Sequence, residues 1–158
     1  METPPVSIAL EQLGVPHTIF RHDEARPVHS LEQAASDRGQ RASQVVRSIL
    51  FRVAEDEFIM ALVAGPAQIS WKTLRKHLGK SRVSMASEDE VLAVTGYRIG
   101  AVGPFGLLNQ VKVLIDPSVM LEEEISIGSG MRNTAVILKS ADLHHALKNA
   151  DVVSLVEK

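Results

Sequence analysis

The clearest pattern along the chain is the run at residues 45–53, apolar and rich in β-branched side chains, which predicts a strand. Residues 55–57 are polar and predict a turn. The apolar run at 58–64 then returns, so the two predict a β-hairpin. Shorter apolar runs predict strands at residues 17–22, near Val83, and at 111–115, 125–127 and 134–138. Helices are announced by their ends. Thr3 with Pro4 opens one that carries Leu10 and Leu13 on its apolar side and stops at Gly14. Ser30 with Gln33 and Ser87 with Glu90 have capping-box spacing, before helices ending at Gly39 and near Gly96. Ser70 caps a helix whose Trp71, Leu74 and Leu78 fall at i, i+3 and i+7 and which ends at Gly79. Ser140 caps the last, and a short apolar tail follows. Strands joined mostly by turns, with helices inserted at intervals, predict an α+β fold. Its sheet is mixed, mostly antiparallel and curled around one core, with helices packed around it.

Length agrees with one domain over residues 1–158. The chain holds no cysteine, which excludes disulfides, thiolate metal sites and a cysteine nucleophile. No lysine or arginine precedes Arg21, so the start does not read as a signal peptide, and no apolar run reaches the ~20 residues of a membrane span. The expectation is a cytoplasmic protein. Net charge is −2, yet no acidic residue lies between Glu57 and Glu88, while Lys72, Arg75, Lys76, Lys80 and Arg82 all do. On the predicted helix, Lys72, Arg75 and Lys76 lie away from the Trp71 stripe. They form either an ordinary solvated face or a surface for nucleic-acid phosphate.

Arg47 is the residue whose position asks for an explanation. Strand alternation places it with Val45, Ile49, Phe51 and Val53, on a face more apolar than the one carrying Ser48 and Arg52. A guanidinium there needs acceptors: either an internal carboxylate, or an anionic or polar ligand in a pocket. Two glycine-rich turns, with Gly100, Gly103, Pro104 and Gly106 in one and Gly128-Ser129-Gly130 in the other, can bring backbone N–H groups close to a ligand. Neither has dinucleotide or P-loop form. His17 and His22 are five apart and His144 and His145 adjacent, so neither pair has metal-site spacing, and His22 at a strand end suits a structural hydrogen bond. No serine-hydrolase elbow occurs.

Taken in order, these residues resemble the YbaK/ProX family, the freestanding relatives of the editing domain of prolyl-tRNA synthetase. The resemblance rests on Phe20-Arg21-His22, on Val45-Val46-Arg47-Ser48-Ile49-Leu50-Phe51, and on the turn at Gly65. It continues with Met85-Ala86-Ser87, Thr95-Gly96-Tyr97, Gly100-Ala101-Val102-Gly103-Pro104-Phe105-Gly106, residues 113–116 and Gly128-Ser129-Gly130-Met131-Arg132. It implies trans-editing: hydrolysis of the ester of a mischarged aminoacyl-tRNA, alanyl- or cysteinyl-tRNA(Pro) first. By resemblance Arg47 and Gly100 serve catalysis, with Gly100 in the loop that holds the ester carbonyl. Phe20 walls the amino-acid pocket, and His22, Gly103, Pro104, Gly128, Ser129 and Gly130 bind substrate; the charge of Lys72, Arg75 and Lys76, not the resemblance, makes them the expected tRNA contacts. The implied partners are proline tRNA and prolyl-tRNA synthetase, with no membrane, DNA, metal or cofactor. Arg47 stands where the family usually has lysine. That departure favours the alternative, a catalytically weak module binding tRNA 3′ ends, nucleotides or a synthetase.

Overall fold

The computed structural model of the protein describes residues 2–157. Its helices are α1 (Pro5–Gln12), α2 (Leu31–Asp37), α3 (Trp71–Leu78), α4 (Glu88–Thr95) and α5 (Ser140–Ala146). Its strands are β1 (Thr18–Arg21), β2 (Val46–Ala54), β3 (Glu57–Ala64), β4 (Ser84–Met85), β5 (Lys112–Ile115), β6 (Glu124–Gly128), β7 (Thr134–Lys139) and β8 (Asp151–Val152). The α+β class and the β2–β3 hairpin are as the sequence predicts.

The single curled sheet is instead two sheets. One is antiparallel, in the order β1-β7-β6; the other is mixed, in the order β4-β2-β3-β5-β8, with β3-β5 and β5-β8 parallel. They meet where Val45, just ahead of β2, bridges to Ser126 of β6. The core is correspondingly double. Along β2 and β3 successive residues face opposite ways, so Val46, Leu50, Met60 and Leu62 enter one cluster while Phe51, Val53, Ile59, Ala61 and Val63 enter another. Strand β3 is covered on both faces, which explains its unbroken apolar run. The second cluster is closed by α3, through buried Leu74 and a T-shaped Trp71–Phe51 contact at 5.3 Å, and by the C-terminal tail, through buried Leu155. Truncating a side chain as enclosed as Leu74 to alanine typically costs about 2–5 kcal/mol.

Several helix ends follow the sequence signals. Ser30, Ser70 and Ser87 each accept a hydrogen bond from the backbone N–H three residues on, and Ser87 with Glu90 completes a capping box. The Gln33 side chain caps the His29 N–H rather than that of Ser30. Three expectations are corrected. Thr3 is not a cap: Pro4 holds that position with no side-chain bond, because proline's fixed φ already starts the turn. Leu13, at the C-terminal end of α1, is 58% exposed, and Leu10 alone of the two reaches the core. Ser140 is the first residue inside α5, and its hydroxyl donates to the Glu122 carbonyl at 2.6 Å. The apolar tail contains β8, held beside β5 by Asp116, whose carboxylate accepts from the Leu155 N–H at 2.7 Å.

Candidate functional site

The first residues of β2, the glycine loop after α4, the end of β6 and the face of α2 surround a cavity of about 450 Å³. Among the residues singled out in the sequence, it brings together Arg47, Gly100 and Gly128. It also receives Arg38, Ser48, His29 and Thr134, and among the described residues no carboxylate lines it. Two guanidinium groups without an acid make the cavity attractive to anions and to oxygen acceptors.

Arg47 is neither ion-paired nor waiting unpaired. Its Nε donates to the Gly65 carbonyl at 2.9 Å, and Nη2 donates to the Ala67 carbonyl, so the turn after β3 supplies its acceptors. Burial pushes its pKa below the ordinary arginine value, but it remains protonated at neutral pH. The turn in effect holds the cation at the cavity wall.

Arg38 was not signalled by any motif. It ends the stripe Leu31, Ala34, Arg38 along α2, at i, i+3 and i+7, all of which line the cavity. Its Nε donates to His22 Nε2 at 3.1 Å and its Nη1 to the buried Ser126 hydroxyl at 2.8 Å. Among the described residues its Nη2 makes no hydrogen bond. Burial lowers its pKa to about 10, which still leaves it charged near neutrality. The stripe carried the signal: an arginine at the third position of an otherwise apolar helical face needs explaining for the same reason as Arg47. Ser48 is a second polar group aimed inward, its buried hydroxyl without a partner among the described residues.

The two glycine loops lie back to back. A Cβ on Gly103 would sit 2.1 Å from the Gly128 carbonyl oxygen, and one on Gly128 2.0 Å from the Val102 carbonyl oxygen, so both positions exclude any side chain. Tyr97 packs against both loops, its hydroxyl donating to the carbonyls of Phe105 at 2.7 Å and Gly106 at 3.0 Å and its ring lying beside Gly130. Gly100 differs: its φ is +93°, but the space where a Cβ would stand is open. Among the described residues its N–H donates to no protein acceptor.

The remaining sequence candidates lie elsewhere. Phe20 and His22 line a neighbouring cavity with Arg21, Arg26 and Asp37, and His22 touches the first cavity only through Arg38. The Ser129 hydroxyl is spent within its turn, on Met131 and Thr134. Pro104 faces a groove beside α1, and Gly130 lines a separate cavity with Arg98 and Arg132. His17 is structural, with Nδ1 donating to the Val15 carbonyl and Nε2 paired with Ser7. Lys72, Arg75 and Lys76 sit on α3, where Arg75 opens onto Arg52 and Val53 of β2. Arg75 stands beside Val53, roughly 20 Å along β2 from Arg47 at about 3.3 Å per residue, while the start of α3 lies nearer, with Trp71 against Phe51. Among the described residues no group of three potential metal ligands occurs, and no helix is long and apolar enough to cross a membrane.

Known proteins resemble this chain in sequence and in fold. The family described as "Aminoacyl-tRNA editing domain" matches residues 25–146. The multifunctional Ser/Thr-tRNA deacylase ProXp-y of Escherichia coli (strain K12) is 30% identical over 137 residues, covering 84% of this chain and 80% of the relative. The uncharacterized protein YwhH of Bacillus subtilis (strain 168) is 36% identical over 114 residues, 72% of each. The chain also matches proline–tRNA ligases, of which it spans only 22%. A structure solved as a candidate trans-editing enzyme for prolyl tRNA synthetase has the same fold, with TM-score 0.87 over 98% of this chain and 96% of that one at 24% identity.

Proposed function

The chain belongs to the aminoacyl-tRNA editing domain family, and from that premise we propose that it hydrolyses, in trans, the ester joining a mischarged small amino acid to tRNA. The observation that carries this reading is the cavity in which Arg38, Arg47 and the unsatisfied Gly100 N–H converge without a carboxylate. An ester needs little more. Water adds to the carbonyl carbon, negative charge develops on the carbonyl oxygen, the bond to the ribose oxygen breaks, and that oxygen takes up a proton. Fixed cations and a backbone donor stabilise the developing oxyanion, with one such donor contributing up to about 4 kcal/mol. Neither arginine can act as a base. His29 is the one imidazole in the lining and the side chain suited to receive the water's proton.

Alanyl- and cysteinyl-tRNA(Pro) are the first substrates to examine, as the resemblance implies. Seryl and threonyl esters belong beside them. The unpartnered Ser48 hydroxyl and the free Nη2 of Arg38 offer hydrogen bonds that an alanyl side chain cannot return, and the similar Escherichia coli protein is named a Ser/Thr-tRNA deacylase. The test is a deacylation panel over these four esters and correctly charged prolyl-tRNA. Hydrolysis of at least one of the four, with prolyl-tRNA spared and the preference for hydroxyl side chains weakened by Ser48→Ala, supports the reading. If all four esters decay only at the buffer rate, the protein is a binding module that keeps the pocket without the chemistry.

A further inference from the structure

On the far side of the glycine loops from the candidate site lies a cavity of about 530 Å³, lined by Leu92, Gly96, Arg98, Ala101, Gly130 and Arg132. Its wall is shared with the site. The Gly130 N–H donates to the Ala101 carbonyl at 2.8 Å, while the flanking residues Gly100, Val102 and Gly128 face the first cavity. One strip of backbone, two loops thick, separates the two.

Arg98 and Arg132 are both exposed, and among the described residues neither makes a salt bridge or a side-chain hydrogen bond. Among the described residues no carboxylate lines the cavity, and the acidic first turn of α4 lies at the opposite end of that helix from Gly96. In a chain of net charge −2, two unpaired arginines facing one hollow are a local reversal of sign. Apolar surface lies beside them: Leu92 is 38% exposed and Ile99 50%. Cation next to exposed apolar surface is the chemistry of single-stranded RNA binding, where guanidinium groups meet phosphate and bases rest on apolar or planar side chains.

We propose that Arg98 and Arg132 form a phosphodiester subsite for the unpaired 3′ end of the RNA whose terminal nucleoside enters the first cavity. The proposal rests on the editing reading above and adds to it where the strand leaves the site. The two packed loops stand between this shelf and the terminal ribose, so the strand passes over their edge and the shelf takes a phosphate upstream of the last nucleotide. Bidentate guanidinium pairing supplies register here, while the first cavity supplies selectivity.

The test is binding rather than turnover, using the trinucleotide CCA and adenosine as probes, by calorimetry from 50 to 200 mM salt. The wild type is compared with Arg98→Ala/Arg132→Ala and Arg98→Lys/Arg132→Lys, with thermal melts as a fold control. The alanine pair should weaken CCA binding at least tenfold. It should also make the log–log salt slope shallower by about 0.7 to 1.4, the range for one or two single-strand phosphates, and leave adenosine affinity unchanged. The lysine pair should restore most of the slope. An unchanged slope in the alanine pair overturns the subsite and leaves the editing reading intact. Equal losses for CCA and adenosine also overturn it, because the arginines then shape the loops. Failure of the wild type to bind either probe removes the editing reading itself, and the subsite with it.

Discussion

The Nε of Arg38 donates to the Nε2 of His22 at 3.1 Å, and this fixes the imidazole in its neutral form with the proton on Nδ1. That nitrogen faces Asp37 Oδ2 at 3.5 Å, long for a hydrogen bond. A residue of the cavity lining at the end of α2 is therefore oriented by a buried histidine just after β1. Protonating His22 would place a second N–H against a guanidinium.

Stability should accordingly depend on His22. Burial first, and the Arg38 charge second, lower its pKa below 6.5, against a smaller opposing effect of Asp37. The unfolded chain then binds a proton in a pH range where the folded one does not. Stability is full above the unfolded value and is lost as pH falls through 6.5 toward the folded value. Melting temperatures from pH 7.5 to 5.5 should fall more steeply in the wild type than in His22→Gln, which keeps an acceptor for Arg38 but cannot titrate. Parallel profiles would show that His22 is not the group responsible.

Arg47→Ala should destabilise the fold, contrary to what an unpaired cation would do. Its removal leaves the Gly65 and Ala67 carbonyls without their donors, at about 1–3 kcal/mol, or roughly 2–4 °C of melting temperature per kcal/mol in a chain of this size. Arg47→Lys keeps the charge but cannot span both carbonyls, so it should melt between the two. It should retain or raise deacylation, because the YbaK/ProX resemblance implies lysine at this position. Thermal unfolding beside deacylation of the same preparations decides it. An Arg47→Ala protein as stable as wild type refutes the clamp.

What the sequence revealed follows from how local each signal is. Ser70, Ser87, Gly79 and Gly96 act on neighbours within four residues, and their helices are as expected. The division into two sheets rests on contacts such as Val45 with Ser126, more than eighty residues apart, which strand alternation cannot reveal. The same limit applies at the site. Alternation drew attention to Arg47 but could not show that its acceptors are backbone carbonyls of a turn eighteen residues on. Arg38 was readable as a charge on an apolar stripe, yet its partners His22 and Ser126 come from β-structure distant in sequence. Phe20 was placed at the amino-acid pocket by resemblance, while the fold turns it toward His22, with ring centroids 4.9 Å apart, in the adjoining cavity.

The basic face of α3 should contact the tRNA body rather than its tip. Lys72 and Lys76 are exposed and Arg75 is half-buried, so replacing all three with alanine removes charge without removing core or helix propensity. With deacylated full-length tRNA, the salt slope should become shallower by about 2 to 3, at roughly 0.7 to 0.9 per phosphate lost. With CCA alone it should not change, since none of the three is among the residues that line the cavity. A triple variant with an unaltered slope on full-length tRNA places the nucleic acid on another face.

Two glycines of the site should respond to alanine in opposite ways. At Gly128 a methyl group would overlap the Val102 carbonyl oxygen at 2.0 Å, and backbone on both sides leaves nothing flexible to yield. Gly128→Ala must separate the loops, so its main effect is on folding: several kcal/mol of stability, with binding and turnover lost together. At Gly100 the methyl group meets nothing within 4 Å, and the cost is a φ of +93° imposed on an L-residue, about 1–2 kcal/mol. That protein should still fold. Gly100 lines the cavity, and on the proposed reading the ester carbonyl approaches its N–H there. By keeping the carbonyl from that N–H, Gly100→Ala should therefore lower kcat by about 100- to 1000-fold, as when one oxyanion donor is lost, with a melting temperature within a few degrees of wild type. The comparison needs both proteins melted and assayed side by side. If Gly100→Ala turns over normally, the donor for the oxyanion lies elsewhere in the cavity. If Gly128→Ala melts like wild type, the loops are not packed backbone to backbone as the geometry requires.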